Sequence, residues 1–138
     1  MARCGRDVDS QTETQSIESH AAPEAILALL ADPSRIPEWA PAFVDAVIED
    51  GESGWRATKG GQDSILRVVT KLNAGTVDYL REVAPGREGG AYMRAIPRPG
   101  GGSVVVVVLP LLADAERTTV AATLRDELNA LVSLVESA

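Results

Sequence analysis

The chain has few residues with which to bind a transition metal or attack a substrate. Its 138 residues include one cysteine, Cys4, and one histidine, His20. Zinc and iron sites draw mainly on those two residue types, and a cysteine nucleophile needs a neighbouring base. We therefore predict no metal site, no cofactor and no internal disulfide. The missing disulfide favours a cytoplasmic location.

Positive charge and long apolar segments are also scarce. Thirteen Lys and Arg residues face 20 Asp and Glu, which gives a net charge of −7. A nucleic-acid-binding protein is expected to carry a basic face, and an anionic membrane surface attracts basic segments. No apolar run approaches the roughly 20 residues that span a bilayer. We therefore predict no nucleic-acid partner and no membrane span.

Residues 1–10 carry two arginines but no apolar stretch after them. They are predicted to form a flexible tail rather than a signal peptide. Residues 11–138 are long enough for one domain with one core. Aromatic residues are few, at two Trp, two Tyr and one Phe, so little is available to stack on a large flat ligand.

The hydrophobic pattern predicts a strand, two short helices, six strands and a long helix. Pro23 and the Asp32-Pro33 pair mark the two helix starts. Strand periodicity and turn signals over residues 44–109 predict an antiparallel meander. In residues 113–136 apolar residues recur every three or four positions, which predicts one amphipathic helix. A sheet with a single long helix to cover it is expected to curl around that helix and enclose a cavity.

Residues 31–41 read Ala-Asp-Pro-Ser-Arg-Ile-Pro-Glu-Trp-Ala-Pro and fall between the first two strands. With this order of elements, roughly residues 12–137 resemble the START-like, or SRPBCC, superfamily. Within it the chain is most similar to an uncharacterised bacterial branch of polyketide-cyclase-like proteins. The resemblance implies an α+β helix-grip fold, in which a curved antiparallel sheet of about seven strands grips the C-terminal helix around a hydrophobic cavity. No motif here matches a member with a defined mechanism.

Two charged residues are candidates for chemistry. A hairpin centred on residues 84–89 sets Asp78 opposite Arg94. Facing opposite charges stabilise a sheet, and this is the simpler interpretation. If that face lines the cavity, however, Arg94 becomes a candidate anchor for a carboxylate or enolate. A register slip of one residue would reverse every assignment.

The predicted cavity wall consists of aromatic and flexible residues from the second helix and the strands, with leucines of the last helix. These residues are Trp39, Phe43, Tyr79, Tyr92, Met93, Leu124 and Leu128. Aromatic residues at such positions also suit core packing.

Residues 104–108 are five consecutive valines. Such a run indicates a strand that is buried on both faces. One face is expected to meet the helix and the other a second copy of the chain, which predicts a homodimer. The alternative is strand propensity alone, with the outer face partly exposed.

Three functions fit these features. The first is binding of a small hydrophobic or amphipathic molecule, polyketide-like or lipid-like, which predicts an apolar cavity. The second is a polyketide cyclase or dehydratase, with Asp78, Arg94, Tyr79 or Tyr92 as acid, base or oxyanion partner, and it predicts a buried ionisable group with a shifted pKa in the cavity. The third is a partner-binding regulatory domain, which predicts a filled core and an exposed apolar patch. The sequence leaves open whether the chain is an enzyme.

Overall fold

Seven strands and three helices follow the predicted order. The computed structural model describes residues 11–51, 54–112 and 115–138, so the tail predicted at residues 1–10 lies outside the described residues. A 3-10 turn leads directly into the second helix. The elements are β1 (Thr12–Ser19), α1 (Pro23–Leu30), the 3-10 turn (Pro33–Arg35), α2 (Ile36–Trp39), β2 (Ala46–Glu49), β3 (Trp55–Lys59), β4 (Gln62–Lys71), β5 (Thr76–Ala84), β6 (Arg87–Pro97), β7 (Ser103–Pro110) and α3 (Arg117–Glu136).

The strands form one antiparallel sheet in the order β1-β7-β6-β5-β4-β3-β2. β2 to β7 are the predicted meander, and β1 adds to it beside β7. The three helices cover the inner face, so the predicted α+β helix-grip fold is confirmed. The buried apolar residues of the inner face are Val47, Ala57, Leu66, Val77, Tyr79, Met93, Ala95, Val105 and Val107.

The hairpin between β5 and β6 has a tighter turn than predicted. Ala84 pairs with Arg87, which leaves two residues in the turn. Gly86 has a φ of 74°, a conformation that glycine adopts without strain. An irregularity between Glu82 and Ala84 shifts the pairing of the remaining residues. A β-bulge of this kind inserts one extra residue and bends the strand that carries it.

These two features move the register of β5 and β6 by two residues. Asp78 pairs with Tyr92, and Thr76 pairs with Arg94, so the predicted pairing of Asp78 with Arg94 is wrong. Side chains alternate with a period of two along a strand. A shift of two therefore leaves the division of residues between the two faces unchanged, and Asp78 and Arg94 still share one face. That face is the outer one.

The five valines of β7 alternate in burial. Val105 and Val107 point inward and are buried, whereas Val104, Val106 and Val108 point outward and are half-buried. Neighbouring strands cover part of the outward side chains, because β7 lies between β1 and β6. Both sequence interpretations allowed this pattern, and the homodimer stays a prediction.

The last helix begins at Arg117 rather than at residue 113. Glu116 has an extended backbone and caps the helix, and its carboxylate accepts a hydrogen bond of 2.9 Å from the Thr119 N–H. Leu124, Leu128 and Leu131 are buried against the core, and each contributes roughly 1.5–3 kcal/mol. Among the described residues, no helix is long and apolar enough to cross a bilayer.

Polar contacts tie α3 to β1 at three points along its length. Arg117 Nη1 donates to the Thr12 carbonyl at 2.6 Å, and Arg125 Nη1 donates to the Ser16 carbonyl at 2.8 Å. The Glu136 carboxylate accepts from Ser19 Oγ at 2.8 Å, and from the backbone N–H of the next residue. Because β1 is an edge strand, these contacts draw α3 toward one side of the sheet.

We expect Glu136→Gln to lower the melting temperature. The His20 N–H and the Ser19 hydroxyl hold the pKa of the Glu136 carboxyl below its ordinary value. A lowered folded-state pKa adds stability above the unfolded-state pKa, and this stability is lost as pH falls through the folded-state value. Thermal unfolding should therefore show a deficit for the variant at neutral pH that shrinks in acid below the ordinary value of 4.5. Glu49→Gln, at an exposed position in β2, is the control. An equal deficit in both variants would contradict the role of Glu136.

Candidate functional site

A cavity of about 330 Å³ lies between α3 and the inner face of β5, β6 and β7. Ligand sites commonly measure roughly 300–1,000 Å³, so this one is at the small end. The wall on β6 is thin because Gly89 and Ala91 carry little or no side chain there. Together with the displacement of α3 toward β1, these small residues leave the space unfilled.

Six of the seven residues predicted to line the cavity do so. They are Trp39, Phe43, Tyr79, Met93, Leu124 and Leu128. The seventh is corrected, since Tyr92 is 38% exposed on the outer face, where it pairs with Asp78. Odd-numbered residues of β6 point inward and even-numbered ones outward. The side chain of Tyr92 therefore lies on the opposite face of the sheet from those of Tyr79 and Met93. Whether the six residues contact a ligand stays a prediction.

The two charged candidates, Asp78 and Arg94, lie away from the cavity. Both point outward from the sheet, and Arg94 is exposed. Neither forms an ion pair with another described residue. Neither is therefore placed to touch a molecule in the cavity. His20 is exposed as well, and its backbone N–H serves the structural contact with Glu136.

Tyr79 lies in the buried wall, but its hydroxyl is occupied. The phenol O–H donates to the carbonyl of Leu30, and the ring packs 6.1 Å from that of Trp39. Burial raises the pKa of Tyr79 well above its ordinary value. The phenol is neutral, and its O–H is already engaged in the hydrogen bond to the Leu30 carbonyl. Tyr79 is therefore a wall residue rather than an acid or base. The indole Nε1 of Trp39 is buried and has no hydrogen-bond partner among the described residues.

The mouth of the cavity combines exposed apolar residues with one cation. Ala42, Leu112 and Thr119 are exposed members of the lining. The Arg81 guanidinium, also exposed, lies 5.3 Å from the centre of the Phe43 ring, in cation–π contact. It forms no ion pair with any described residue. Arg81 lies on the same inner face of the sheet as Tyr79 and Met93.

One carboxylic acid in the cavity wall was missed by sequence reasoning. Glu127 of α3 lines the cavity beside Leu124 and Leu128. Burial, and to a smaller extent the neighbouring Asp126, raise the pKa of its carboxyl to about 7. No described residue stabilises its ionised form by a hydrogen bond. Glu127 is therefore partly protonated near neutral pH, and in that form it can donate a hydrogen bond.

Across residues 11–51, 54–112 and 115–138, no three His, Cys, Asp or Glu side chains are grouped so as to hold a metal ion. The charged or titratable residues that line the cavity are Arg81, Tyr79 and Glu127. What the site offers is an apolar space with a carboxyl of raised pKa in its wall and a cation at its mouth.

The family model described as polyketide cyclase/dehydrase and lipid transport matches residues 10–136. The chain belongs to this family. Its START-like superfamily membership, implied by the sequence resemblance, is confirmed. No curated protein matches the chain.

Several solved structures share the fold of this polyketide cyclase/dehydrase family member. The Zhui aromatase/cyclase from Streptomyces sp. R1128 is 15% identical, over 93% of this chain and 94% of that chain, with a TM-score of 0.69. A START superfamily protein from Mycobacterium smegmatis is 15% identical, over 91% and 97%, with a TM-score of 0.65. A protein from Thermobifida fusca is 21% identical, over 90% and 92%, with a TM-score of 0.66. At these identities the likeness supports the fold alone.

Proposed function

We propose that this family member binds a small amphipathic molecule in the cavity under α3. The apolar body of the ligand would occupy the space between Leu124, Leu128 and Met93. Its polar end would lie at the mouth, beside the guanidinium of Arg81. The observation that carries the proposal is the cavity itself, about 330 Å³ of mainly apolar lining within an otherwise packed core.

The size and lining of the cavity limit what it holds. At the small end of the usual range, it suits a compound of one or two rings, or a short acyl chain. The cation at the mouth favours a neutral or anionic end over an ammonium group, because a second positive charge beside Arg81 would be repelled. Polyketide-like and lipid-like molecules both remain within this description.

Native mass spectrometry of the protein purified from its own host tests the proposal. We expect a fraction of the protein to carry one small molecule, which denaturation releases for identification. A co-purified molecule raises the melting temperature, since a ligand that binds only the folded state stabilises it. Protein that is always ligand-free, and that is not stabilised by any member of a panel of small amphipathic compounds, would contradict the proposal.

A second candidate, a cyclase or dehydratase, is favoured by one observation. Glu127 is a buried ionisable group with a shifted pKa in the cavity wall, and such groups often mark active sites. As a general acid, Glu127 would protonate a departing hydroxyl, which leaves as water, and the resulting carboxylate would take the proton that the adjacent carbon loses as the C=C bond forms. A dehydratase predicts that Glu127→Gln protein retains a compound one water heavier than the one recovered from wild type. A pure binding protein predicts the same compound in both.

The partner-binding alternative receives less support. It predicted a filled core and an exposed apolar patch, and the core instead encloses the cavity. Of the exposed large apolar residues, Leu72 and Leu112 lie outside the strands. Arg56 separates Ile48 from Ile65 on the outer face. Tyr92 and Ile96 adjoin the outward valines of β7, and this cluster is the part of the surface that a partner would use.

A further inference from the structure

A row of polar residues on α3 faces the cavity. Thr119, Thr123 and Glu127 are spaced four residues apart, and all three belong to the lining. Residues at this spacing lie on one helix face, about 6 Å apart along the axis. A parallel row of Val120, Leu124 and Leu128 lies beside it. A cavity that needed only to bury an acyl chain would have no use for the polar row.

The row runs from the mouth to the interior. Thr119 is exposed near the start of α3, and its hydroxyl donates to the Glu116 carboxylate at 2.9 Å. Thr123 and Glu127 are half-buried. The carboxyl of Glu127 is thus the innermost polar group of the row. None of the described residues hydrogen-bonds it.

We propose that Glu127, aided by Thr123, selects ligands that carry a carbonyl or hydroxyl oxygen within their apolar body, and that its protonated carboxyl donates the hydrogen bond that recognises this oxygen. This inference rests on the proposed function. It names the ligand chemistry as an oxygenated ring or chain, distinct from a hydrocarbon with a polar end only.

The charges around Glu127 agree with a neutral acid in this position. On α3 its neighbour Asp126 is acidic and disfavours a second negative charge. Elements packed against α3 supply no free cation to it. The α2 residue Glu38 is paired with Arg35, the β1 residue Glu13 is paired with Arg117, and α1 carries the acidic Glu24.

From the sheet, the titratable or charged residues of the lining are Tyr79 and Arg81. Tyr79 is neutral and its hydroxyl is occupied. Arg81 at the mouth is not among the groups that shift the Glu127 pKa, so the two do not pair. Burial raises that pKa to about 7, which makes the donor form abundant in mild acid and scarce in mild base.

Two probes of similar shape test the inference: 2-acetylnaphthalene and 2-ethylnaphthalene, in which a carbonyl group of the first replaces a methylene group of the second. NMR titration of the Trp39 indole signal gives the two dissociation constants. In the wild type at about pH 5.5 we expect the ketone to bind roughly five- to tenfold more tightly, the value of one hydrogen bond. At about pH 8.5 the preference should fall to the roughly twofold part that Thr123 supplies, because the carboxylate cannot donate.

Three variants separate the donor from other effects. Glu127→Gln keeps an N–H donor and should show the ketone preference at both pH values. Glu127→Leu should leave only the roughly twofold preference that Thr123 supplies, at either pH, and Thr123→Val should reduce the wild-type preference about twofold. Equal binding of the two probes to the wild type in acid would overturn the inference while leaving the binding function intact. If neither probe binds at any pH and no member of the panel of small amphipathic compounds binds either, the proposed function itself fails.

A measurement without ligand makes the same test independent of the probes. The raised pKa of Glu127 stabilises the fold fully below the ordinary value of 4.5, and this stability is lost as pH rises toward about 7. Glu127→Gln should therefore melt at a higher temperature than the wild type at about pH 8.5, with a smaller difference at about pH 5.5. A pH-independent difference would show that Glu127 is ionised throughout and is no donor, which would overturn the inference.

Discussion

Ala91→Leu is expected to abolish ligand binding while the protein stays folded. Ala91 lies on β6 directly opposite Tyr79, and its methyl group forms part of the cavity wall. A leucine there would project into a space of only about 330 Å³. We expect binding of a cavity ligand to weaken roughly a hundredfold, which corresponds to about 2.8 kcal/mol.

The thermal stability of the Ala91→Leu protein should not fall with its ligand affinity. The added carbon atoms fill existing space, and each buried methylene contributes about 0.8 kcal/mol. The melting temperature is therefore expected to hold or rise, whereas overpacking of a filled core would lower it. Calorimetric titration with 2-acetylnaphthalene, together with thermal unfolding, measures both quantities.

Ala122→Leu provides the matched control, because Ala122 is exposed on α3. It should leave both the affinity and the melting temperature close to those of the wild type. Unchanged affinity in a folded Ala91→Leu protein would place the ligand outside this cavity. A large loss of stability would show instead that the β6 wall is already packed.

The order of elements was predictable because each element depends on the local sequence pattern. The cavity was predictable because a sheet covered by a single long helix is expected to curl around that helix. Pro23 begins α1, and the Asp32-Pro33 pair begins the 3-10 turn that leads into α2. Alternation over residues 44–109 gave the meander, and the stripe of leucines gave α3. The grouping of Asp78 with Arg94 on one face of the sheet was also correct, since side-chain alternation survives a register shift of two. Which of the two faces lines the cavity was left open by the sequence.

The register itself was not predictable, because it depends on geometry that composition does not reveal. Pro85 and Gly86 make a two-residue turn, and the irregularity before Ala84 adds a further shift. The prediction that Tyr92 lines the cavity was wrong because it followed the aromatic residue type of Tyr92. The alternation of side chains along β6 sets this residue on the face opposite to Tyr79. The aromatic ring of Tyr92 therefore lies outside the cavity.

Glu127 was not predicted because the apolar stripe of α3 indicates the buried face more strongly than the polar row beside it. The spacing Thr119, Thr123, Glu127 runs in step with Val120, Leu124 and Leu128, one residue earlier in each turn. That signal was present in the sequence. What it could not show is that α3 is tied toward β1, which leaves this row facing a cavity rather than solvent.

Leu128→Ala is expected to produce the largest loss of stability and to change which ligands fit. Leu128 is 1% exposed and forms both core and cavity wall. Truncating a buried leucine costs about 2–5 kcal/mol, because transfer free energy is lost and a void remains. For a chain of this length each kcal/mol lowers the melting temperature by roughly 2–4 °C, so we expect a loss of about 5–15 °C.

The void left by Leu128→Ala adjoins the existing cavity, so the two should merge into a larger binding space. A bulkier ketone, 2-acetylanthracene, should then bind more tightly than 2-acetylnaphthalene, the reverse of the order expected in the wild type. Leu134→Ala is the control, because Leu134 is half-buried on the same helix but is not part of the lining. It should lower stability less and leave the order of the two ligands unchanged. If Leu128→Ala is destabilised and yet keeps the wild-type order, Leu128 belongs to the core alone and the ligand does not reach the inner end of the cavity.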